Sequence, residues 1–344
     1  MSTVALAVKY RPKTFDDVTE QGSVKTILKQ QIAEGSIKHS YLFCGGAGTG
    51  KTTTARIFAN MINEGIGQPL EIDAASNNSV DNVRSIIQQS RMATLDGSKY
   101  RIFIIDECHS LSNQAWQAML KLLEEPPESA VFIFCTTDPQ KIPKTILSRV
   151  QRYDFQRISQ DGIVKRLMHI LIKEDLVEGY SAEALEYIAK IADGGMRDAI
   201  TLMDKCLSYS NELTVENVVS AIGTVDYDTM LSLTDSIVLG KPEEMLSTIE
   251  KLHNQGKDLK LFIRNYTNFV LDLCKYAVMG TLTYTQLPNY YESELEKHDK
   301  DYYNTCEHLL QLLFKLYTDI KWDNSPKAMV EANLYGFCIG EQYG

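Results

Sequence analysis

Apolar residues follow two different patterns along this chain, and the pattern changes near residue 160. Before that position, short apolar runs alternate with stretches of helical spacing. Runs that are apolar at consecutive positions are typical of strands buried on both faces of a parallel sheet. The runs cover residues 40–45, 70–76, 100–107, 130–137 and 152–156. The first part of the chain therefore predicts an α/β nucleotide-binding fold with a parallel five-stranded sheet.

After residue 160 the apolar residues recur with the period of a helix, about 3.6 residues. One predicted helix has an apolar face made of Ile163, Leu167, Ile170 and Leu171. Two adjacent glycines at 194–195 interrupt the pattern, so we expect one helix to end there and another to begin at Met196. New long helical patterns follow residues 222–228. We predict an α/β domain over 1–160, a helical domain over 161–222 and a second helical domain over 223–344.

Composition and charge restrict the class of protein. With 344 residues, 44% of them hydrophobic, the chain can fill two or three cores. Its seven cysteines are widely spread without a Cys-x-x-Cys pair, which favours reduced thiols over disulfides or a zinc site. No apolar run is long enough to span a membrane and no secretion signal is visible, so we expect a cytoplasmic protein.

The charge is distributed unevenly between the two parts of the chain. Residues 1–160 have 18 Lys and Arg against 16 Asp and Glu, whereas residues 161–344 have 17 against 29. The first part could therefore contact DNA through a local basic patch, despite the formal net charge of −10 for the whole chain. The acidic second part is better suited to solvent and to protein neighbours.

A phosphate-binding loop is predicted between the first strand and the helix that follows it. Gly45, Gly50, Lys51 and Thr52 complete the pattern G-x-x-x-x-G-K-S/T. In such a loop, backbone N–H groups and the positive end of the helix face the phosphates, the lysine lies between the β- and γ-phosphates, and the threonine hydroxyl can ligate Mg²⁺. A glycine-rich turn with a surface lysine is the alternative. The strand and helix on either side favour ATP and Mg²⁺, with the nucleotide contacted by Gly45, Gly46, Ala47, Gly48, Thr49, Gly50, Lys51, Thr52 and Thr53.

Two adjacent acids end the third predicted strand. Because Asp106 and Glu107 follow a buried run, they emerge at the carboxyl edge of the sheet, beside the loop. Asp106 can hold Mg²⁺ through water, and Glu107 can orient and deprotonate the attacking water. They could instead be solvated turn residues, but a phosphate loop on another strand favours catalysis. For Cys108 and His109, which follow directly, we favour packing or capping over metal binding.

Three further polar positions could report on a bound nucleotide. Thr136 or Thr137 ends the next strand, where a hydroxyl could contact the γ-phosphate or the attacking water, although threonine at a strand end is more often structural. Arg149 follows a helical turn in "ILSRV", and Arg197 lies near a helix start in "GGMRDA". Each arginine taken alone would be a surface residue, and the order of the motifs is what makes them candidates.

That order of motifs resembles the AAA+ ATPases. Longer stretches are similar to the clamp-loader ATPase family of DNA polymerase III gamma and tau subunits, from bacteria or phage: "VKYRPKTFDDVTEQ", "HSYLFCGGAGTGKTTTAR", "EIDAASNNSVDNVR", "IDECHSLSNQAWQAMLKLLEEPP", "TTDPQKIPKTILSRV" and "GGMRDAITLMD". The resemblance is specific over residues 1 to 225 and weaker beyond. It implies an AAA+ P-loop domain, a small helical lid and an all-α collar that joins a ring of five subunits. The implied activity is ATP hydrolysis, without a polymerase active site.

The resemblance also assigns roles to individual residues. Thr137 would sense the γ-phosphate, and Arg197 with Met196 would contact ATP from the lid. Arg149 would be an arginine finger for the ATP of a neighbouring subunit, which would make hydrolysis depend on assembly. The adenine side of the site would be formed by Tyr10, Arg11, Pro12 and Val18. The catalytic set would then be Lys51, Asp106, Glu107, Thr137, Arg149 and Arg197.

Three features depart from the family pattern. Bacterial members usually carry a four-cysteine zinc module before "EIDAAS", where this chain has only "NMINEGIGQP", so we expect no zinc. The family's Ser-Arg-Cys is Ser148-Arg149-Val150 here, which keeps the arginine. The sequence ends at Gly344 without the long tail of the tau form, so we expect no tethering of helicase or polymerase through this chain.

Contacts with DNA are predicted at two helix starts, and a possible contact with a sliding clamp is predicted after a helix end. "SNNSVDNVRS" and "LSNQAWQ" each open a helix with small polar residues, and free N–H groups there suit a backbone phosphate. Ordinary helix capping is the alternative for any single residue. Met92 and Leu95 could form a clamp-facing patch or could pack in the core. The candidate DNA-binding residues are Asn77, Asn78, Ser79, Arg84 and Asn113.

Three functions are compatible with these observations. The leading hypothesis is the ATPase motor of a sliding-clamp loader that acts on primer-template DNA. A branch-migration helicase of the AAA+ type would usually add a basic DNA-binding domain, which the acidic C-terminal part does not resemble. A non-catalytic ATP-binding scaffold is disfavoured by Glu107, which offers a general base.

Overall fold

A computed structural model describes residues 4–92, 94, 96–176, 179–210, 212–222, 225–287, 291–323 and 325–340. The chain divides into two compact units. The first combines Met1–Asp175 with Ala192–Asp204, and the second combines Leu176–Ile191 with Lys205–Gly344. The three-domain division predicted from the sequence remains a prediction.

The first unit is built on a five-stranded parallel sheet, as predicted. Its strands are β1 (Ser40–Cys44), β2 (Leu70–Asp73), β3 (Arg101–Asp106), β4 (Ala130–Thr136) and β5 (Gln151–Asp154). Their spatial order is β2-β3-β4-β1-β5, so β1 lies between β4 and β5. In the register of the sheet, Cys44 of β1 pairs with Thr136 of β4. The carboxyl ends of β1, β3 and β4 therefore meet at one edge of the sheet, where ligands of open α/β sheets bind.

Helices cover both faces of this sheet. The helices up to residue 175 of this unit are α1 (Leu6–Lys9), α2 (Gly22–Glu34), α3 (Lys51–Ile62), α4 (Val80–Ser90), α5 (Asn113–Glu124), α6 (Lys144–Leu147) and α7 (Gln160–Lys173). One core joins α2 and α3 to residues such as Tyr41 and Phe43 of β1. The other joins α4, α5 and α6 to residues such as Leu42, Phe103 and Phe132. Because successive strand residues point to opposite faces, both cores draw on the same apolar runs.

Burial differs between the central and the outer strands. Every residue of β1 and β4 is buried, as the apolar runs predict. The edge strand β2 differs, because none of its four residues is buried and Leu70 is 40% exposed. An edge strand has a neighbour on one side only, so a run such as "LEID" does not need to be apolar throughout. The expectation of strands buried on both faces holds for the centre of the sheet and fails for both edge strands, since in β5 only Tyr153 is buried.

Helices make up the regular structure after the sheet, as predicted. They are α8 (Ala182–Ile191), α9 (Met196–Tyr209), α10 (Val215–Ile222), α11 (Tyr227–Val238), α12 (Pro242–Asn254), α13 (Leu259–Met279), α14 (Glu292–Leu295), α15 (Lys300–Asp319) and α16 (Pro326–Cys338). The predicted apolar face of α7 is buried, and α9 begins at Met196 after the glycine pair. In the second unit α13 packs against α15, within a core formed with α11, α12 and α16. Among the described helices, none combines the length and the apolar sequence that a membrane span requires.

Candidate nucleotide-binding site

The phosphate-binding loop connects β1 to α3. Gly50 precedes the helix in a left-handed conformation, with φ of 99°, and α3 begins at Lys51. The Nζ of Lys51 donates hydrogen bonds to the carbonyl oxygens of Gly45 at 2.8 Å and Gly46 at 2.7 Å. Burial lowers the pKa of Lys51, although the nearby carboxylates act in the opposite direction. The loop therefore curls around its lysine and leaves its N–H groups at the helix start, as anion binding requires.

Thr52 and Asp106 meet across the sheet edge. The hydroxyl of Thr52 donates to Oδ2 of Asp106 at 2.7 Å. Thr52 is the second residue of α3 and Asp106 is the last residue of β3, so two secondary-structure elements fix the contact. Hydroxyl and carboxylate oxygens are the ligand atoms that Mg²⁺ prefers, so this pair fits a magnesium ion bound with nucleotide.

Glu107 turns away from Asp106 toward β4. Its backbone adopts a left-handed conformation with φ of 45° and ψ of 43°. Oε2 of Glu107 accepts a hydrogen bond from the hydroxyl of Thr137 at 2.9 Å, and Nδ1 of His109 lies 3.2 Å from the same oxygen. Cys108 is buried, and burial raises the pKa of its thiol well above the ordinary value. Cys108 thus packs in the core, whereas His109 contacts the carboxylate rather than only packing or capping.

A cavity of about 350 Å³ collects most of the predicted nucleotide contacts. The predicted residues that line it are Tyr10, Arg11, Pro12, Val18, Ala47, Gly48, Thr49, Gly50, Lys51, Thr52, Thr53, Asp106, Glu107, Met196 and Arg197. Gly45 and Gly46 contribute through the carbonyl oxygens that hold Lys51. Thr137 does not line the cavity but contacts Glu107, which does. Arg149 is also absent from the lining.

Arg166 is a residue of the cavity that the sequence did not suggest. Its Nη2 donates to the carbonyl oxygen of Tyr10 at 2.8 Å, and burial lowers the pKa of this guanidinium. It therefore joins α7 to the segment that forms the predicted adenine side. Arg56 also lines the cavity, and here a signal existed, because it lies four residues after Thr52 on the same face of α3. No comparable spacing pointed to Arg166.

Arg149 lies outside the cavity, and its guanidinium contacts residues of its own chain. Its Nη2 contacts Oε1 of Glu124 at 2.7 Å. Its Nη1 donates to the carbonyl oxygen of Thr145 at 2.7 Å and to the hydroxyl of Ser148 at 3.1 Å. This placement leaves Arg149 away from the nucleotide cavity of its own chain.

Four of the candidate DNA-binding residues lie at or just before the starts of α4 and α5, and Arg84 lies in the second turn of α4. Ser79 caps α4 by accepting from the N–H of Asn82, and Asn113 is the first residue of α5. The carbonyl oxygen of Asn78 accepts from the N–H of Ser112 at 3.2 Å, which joins the two helix starts.

The remaining candidates of this group have local partners. The amide of Asn77 donates to the carbonyl oxygen of Asp73, and Arg84 pairs with Asp81 at 3.1 Å. Met92 is 56% exposed and so is not a core residue, whereas Leu95 lies outside the described residues.

Comparisons with known proteins agree with this geometry. Residues 70–159 match the family "DNA polymerase III, delta subunit", 162–212 match "DNA polymerase III clamp loader subunit, ATPase lid domain", and 213–335 match "DNA polymerase III subunits gamma and tau domain III". The DNA polymerase III tau subunit of Bacillus subtilis is 36% identical over 98% of this chain, and that of Escherichia coli is 35% identical over 74%. The chain spans 64% and 43% of the lengths of these two relatives.

A solved structure supports the same fold. The Thermotoga maritima RuvB Holliday junction branch migration motor superposes with a TM-score of 0.52 and 18% identity, over 67% of this chain and 79% of that one. At this identity the likeness shows the fold, a P-loop AAA+ architecture, and nothing about the substrate. Together, the three family matches and the relatives that exceed 30% identity show that the chain belongs to the clamp-loader subunit family of DNA polymerase III that includes the gamma and tau subunits.

Proposed function

We propose that this chain is an ATP-hydrolysing motor subunit of a DNA polymerase sliding-clamp loader. The observation that carries the proposal is the convergence of Lys51, Thr52, Asp106 and Glu107 with Arg197 around one cavity. A phosphate loop alone would support only binding. The acids beside it add the groups that a hydrolytic reaction needs.

Different residues of the cavity would bind the phosphates, the magnesium ion and the adenine of ATP. Lys51 would leave the carbonyl oxygens of Gly45 and Gly46 to contact the β- and γ-phosphates, which offer it a stronger, charged acceptor. Thr52 and Asp106 would hold Mg²⁺, which neutralises charge that develops on the phosphates. Tyr10, Arg11, Pro12 and Val18 would form the adenine side, and Met196 with Arg197 would close the site from α9.

Hydrolysis requires a base for the attacking water, and Glu107 fits that role. The Thr137 hydroxyl has one proton to donate, and it donates that proton to Glu107 in this structure. A γ-phosphate oxygen would compete for the same proton. If Thr137 turned to the phosphate, the carboxylate of Glu107 would lose one partner and become available to accept a proton from water.

Assembly would complete the reaction. Arg149 would act as an arginine finger on the ATP of a neighbouring subunit, in a ring of five held by the helices after residue 222. Its position away from the cavity of its own chain supports this role. The helix starts that carry Asn77, Asn78, Ser79 and Asn113, with Arg84, would contact the backbone of primer-template DNA. Such contacts are independent of sequence and weaken with salt.

The proposal is tested by ATP turnover of the chain assembled with its partner subunits, with and without sliding clamp and primed DNA. We expect turnover to rise when clamp and DNA are present. Glu107→Gln should bind ATP as the wild type does while turnover falls by about 100-fold or more. A rate that is indifferent to partners, clamp and DNA would contradict the clamp-loader function, and wild-type turnover in Glu107→Gln would indicate a scaffold.

A further inference from the structure

The arginine proposed as a finger is held by a carboxylate from a different helix. Nη2 of Arg149 lies 2.7 Å from Oε1 of Glu124, which is the last residue of α5. The other two acceptors, the carbonyl oxygen of Thr145 and the hydroxyl of Ser148, belong to the same segment as Arg149. Glu124 is therefore the contact that connects this side chain to the body of the domain, and it is the charged one of the three.

The location of Glu124 suggests a role other than helix stabilisation. A carboxylate in the last turn of a helix faces the negative end of the helix dipole, which is locally unfavourable. The side chains of Arg149 and Glu124 are 34% and 49% exposed, and an ion pair so exposed contributes little to folding stability. What the pair does control is the direction of the guanidinium, because it removes rotational freedom from a long side chain.

The hydrogen bonds of Arg149 leave some of its N–H donors available for another partner. An arginine has five N–H donors. Within the described part of the chain, two N–H groups of Nη1 and one of Nη2 are used by these acceptors, so the Nε group and one Nη2 group remain. Two donors on neighbouring nitrogens suit the bidentate contact that arginine makes with phosphate oxygens.

We propose that Glu124 is a positioning residue for Arg149, which it holds in the direction needed to reach the ATP of a neighbouring subunit. This inference rests on the proposed role of Arg149 as an arginine finger. Glu124 does not line the nucleotide cavity of its own chain. Its contribution is to fix the finger before the subunits meet, so that less freedom is lost when the transition state forms.

The chain offers a matched control for a test. Glu125 is the neighbouring residue, carries the same side chain and is exposed. Glu124→Ala and Glu125→Ala therefore remove the same charge one residue apart, and only the first removes the contact with Arg149. Glu124→Gln keeps an oxygen that can accept a hydrogen bond but removes the charge, so it should restore part of the effect.

The experiment measures ATP turnover of each variant in the assembled complex and ATP affinity of each isolated chain. We expect Glu124→Ala to lower turnover by about 3- to 10-fold, Glu124→Gln to lie between Ala and wild type, and Glu125→Ala to match wild type. ATP affinity of the isolated chain should not change. In an Arg149→Ala background, Glu124→Ala should have no further effect, because the residue that it positions is gone.

The outcomes separate the inference from the function on which it rests. If Arg149→Ala leaves turnover of the complex unchanged, the proposed finger is wrong. If Arg149→Ala lowers turnover but Glu124→Ala behaves like Glu125→Ala, or lowers turnover equally in the Arg149→Ala background, Glu124 does not position the finger. A rise in turnover in Glu124→Ala would also overturn the inference, because Glu124 would then restrain Arg149 from acting.

Discussion

Gly48 brings the phosphate loop into direct contact with the turn before α9. Its carbonyl oxygen accepts a hydrogen bond from the N–H of Met196 at 3.0 Å, and its φ is +69°. A β-carbon at Gly48 would lie 2.9 Å from Cα and 3.1 Å from the carbonyl carbon of Gly195. Backbone atoms cannot rotate away as a side chain can. Gly48→Ala must therefore push this turn away from the loop and displace Arg197, which lines the cavity.

The cost of this substitution has three contributions. A non-glycine residue in a left-handed conformation costs about 1 to 2 kcal/mol. Overpacking against a rigid neighbour costs about 1 to 3 kcal/mol, and loss of the hydrogen bond from Met196 costs about 1 kcal/mol. We expect Gly48→Ala to lower the free energy of unfolding by about 3 to 6 kcal/mol. Gly35 is a matched control, because its φ is +67° but its β-carbon would meet nothing within 4 Å. Gly35→Ala should carry only the first contribution.

Two measurements check this expectation. Denaturant unfolding of the nucleotide-free chain should show the larger loss of stability for Gly48→Ala. Equilibrium titration with a fluorescent ATP analogue should show an affinity at least about tenfold weaker for Gly48→Ala and unchanged for Gly35→Ala, since tenfold corresponds to about 1.4 kcal/mol. Equal losses of stability together with wild-type affinity in both variants would refute the reasoning, because the contact with Gly195 would then impose no constraint.

Three further predictions concern the cavity. Thr52→Val keeps the side-chain shape but removes the hydroxyl that contacts Asp106. When turnover of the assembled complex is titrated with magnesium, the variant should show a turnover at least about tenfold lower than that of wild type. Arg166→Gln removes a charged hydrogen bond to the Tyr10 carbonyl, so ATP titration should show an affinity about tenfold weaker. Burial lowers the pKa of Lys51 from 10.5, so the unfolded chain binds this proton more readily. The stability of wild type relative to Lys51→Met, measured by denaturant unfolding without nucleotide, should therefore rise as the pH approaches 10.5.

The sheet and the phosphate loop could be predicted because their signals are local. The run "IFII" is short and made of β-branched and aromatic residues, which favours a buried strand, and the loop pattern requires a strand before it and a helix after it. The ends of the strands then follow from parallel pairing, which brings Asp106 beside the loop. The order of the strands did not follow, because it depends on contacts between residues distant in the sequence.

Other features of the site could not be predicted because they depend on long-range contacts. Arg166 reaches Tyr10 across 156 positions of the chain, and a polar residue on a helix otherwise indicates an exposed position. The contact between Arg149 and Glu124 could not be predicted either, because the two residues are 25 positions apart. In the sequence Glu124 is only one of two adjacent acids. The exposure of β2 also depends on the sheet order, which makes it an edge strand.

The two acids at the end of β3 are adjacent in sequence, yet a change of backbone conformation between them gives them different contacts. Asp106 is still part of the strand and contacts Thr52, whereas Glu107 adopts a left-handed conformation and contacts Thr137. Such a conformation costs a residue with a β-carbon about 1 to 2 kcal/mol, and glycine would adopt it without that cost. A glutamate here is therefore less favourable for stability than a glycine would be. Strain of this kind concentrates at functional sites, and here it directs the proposed general base away from the pair that fits the metal and toward the Thr137 hydroxyl, just after β4.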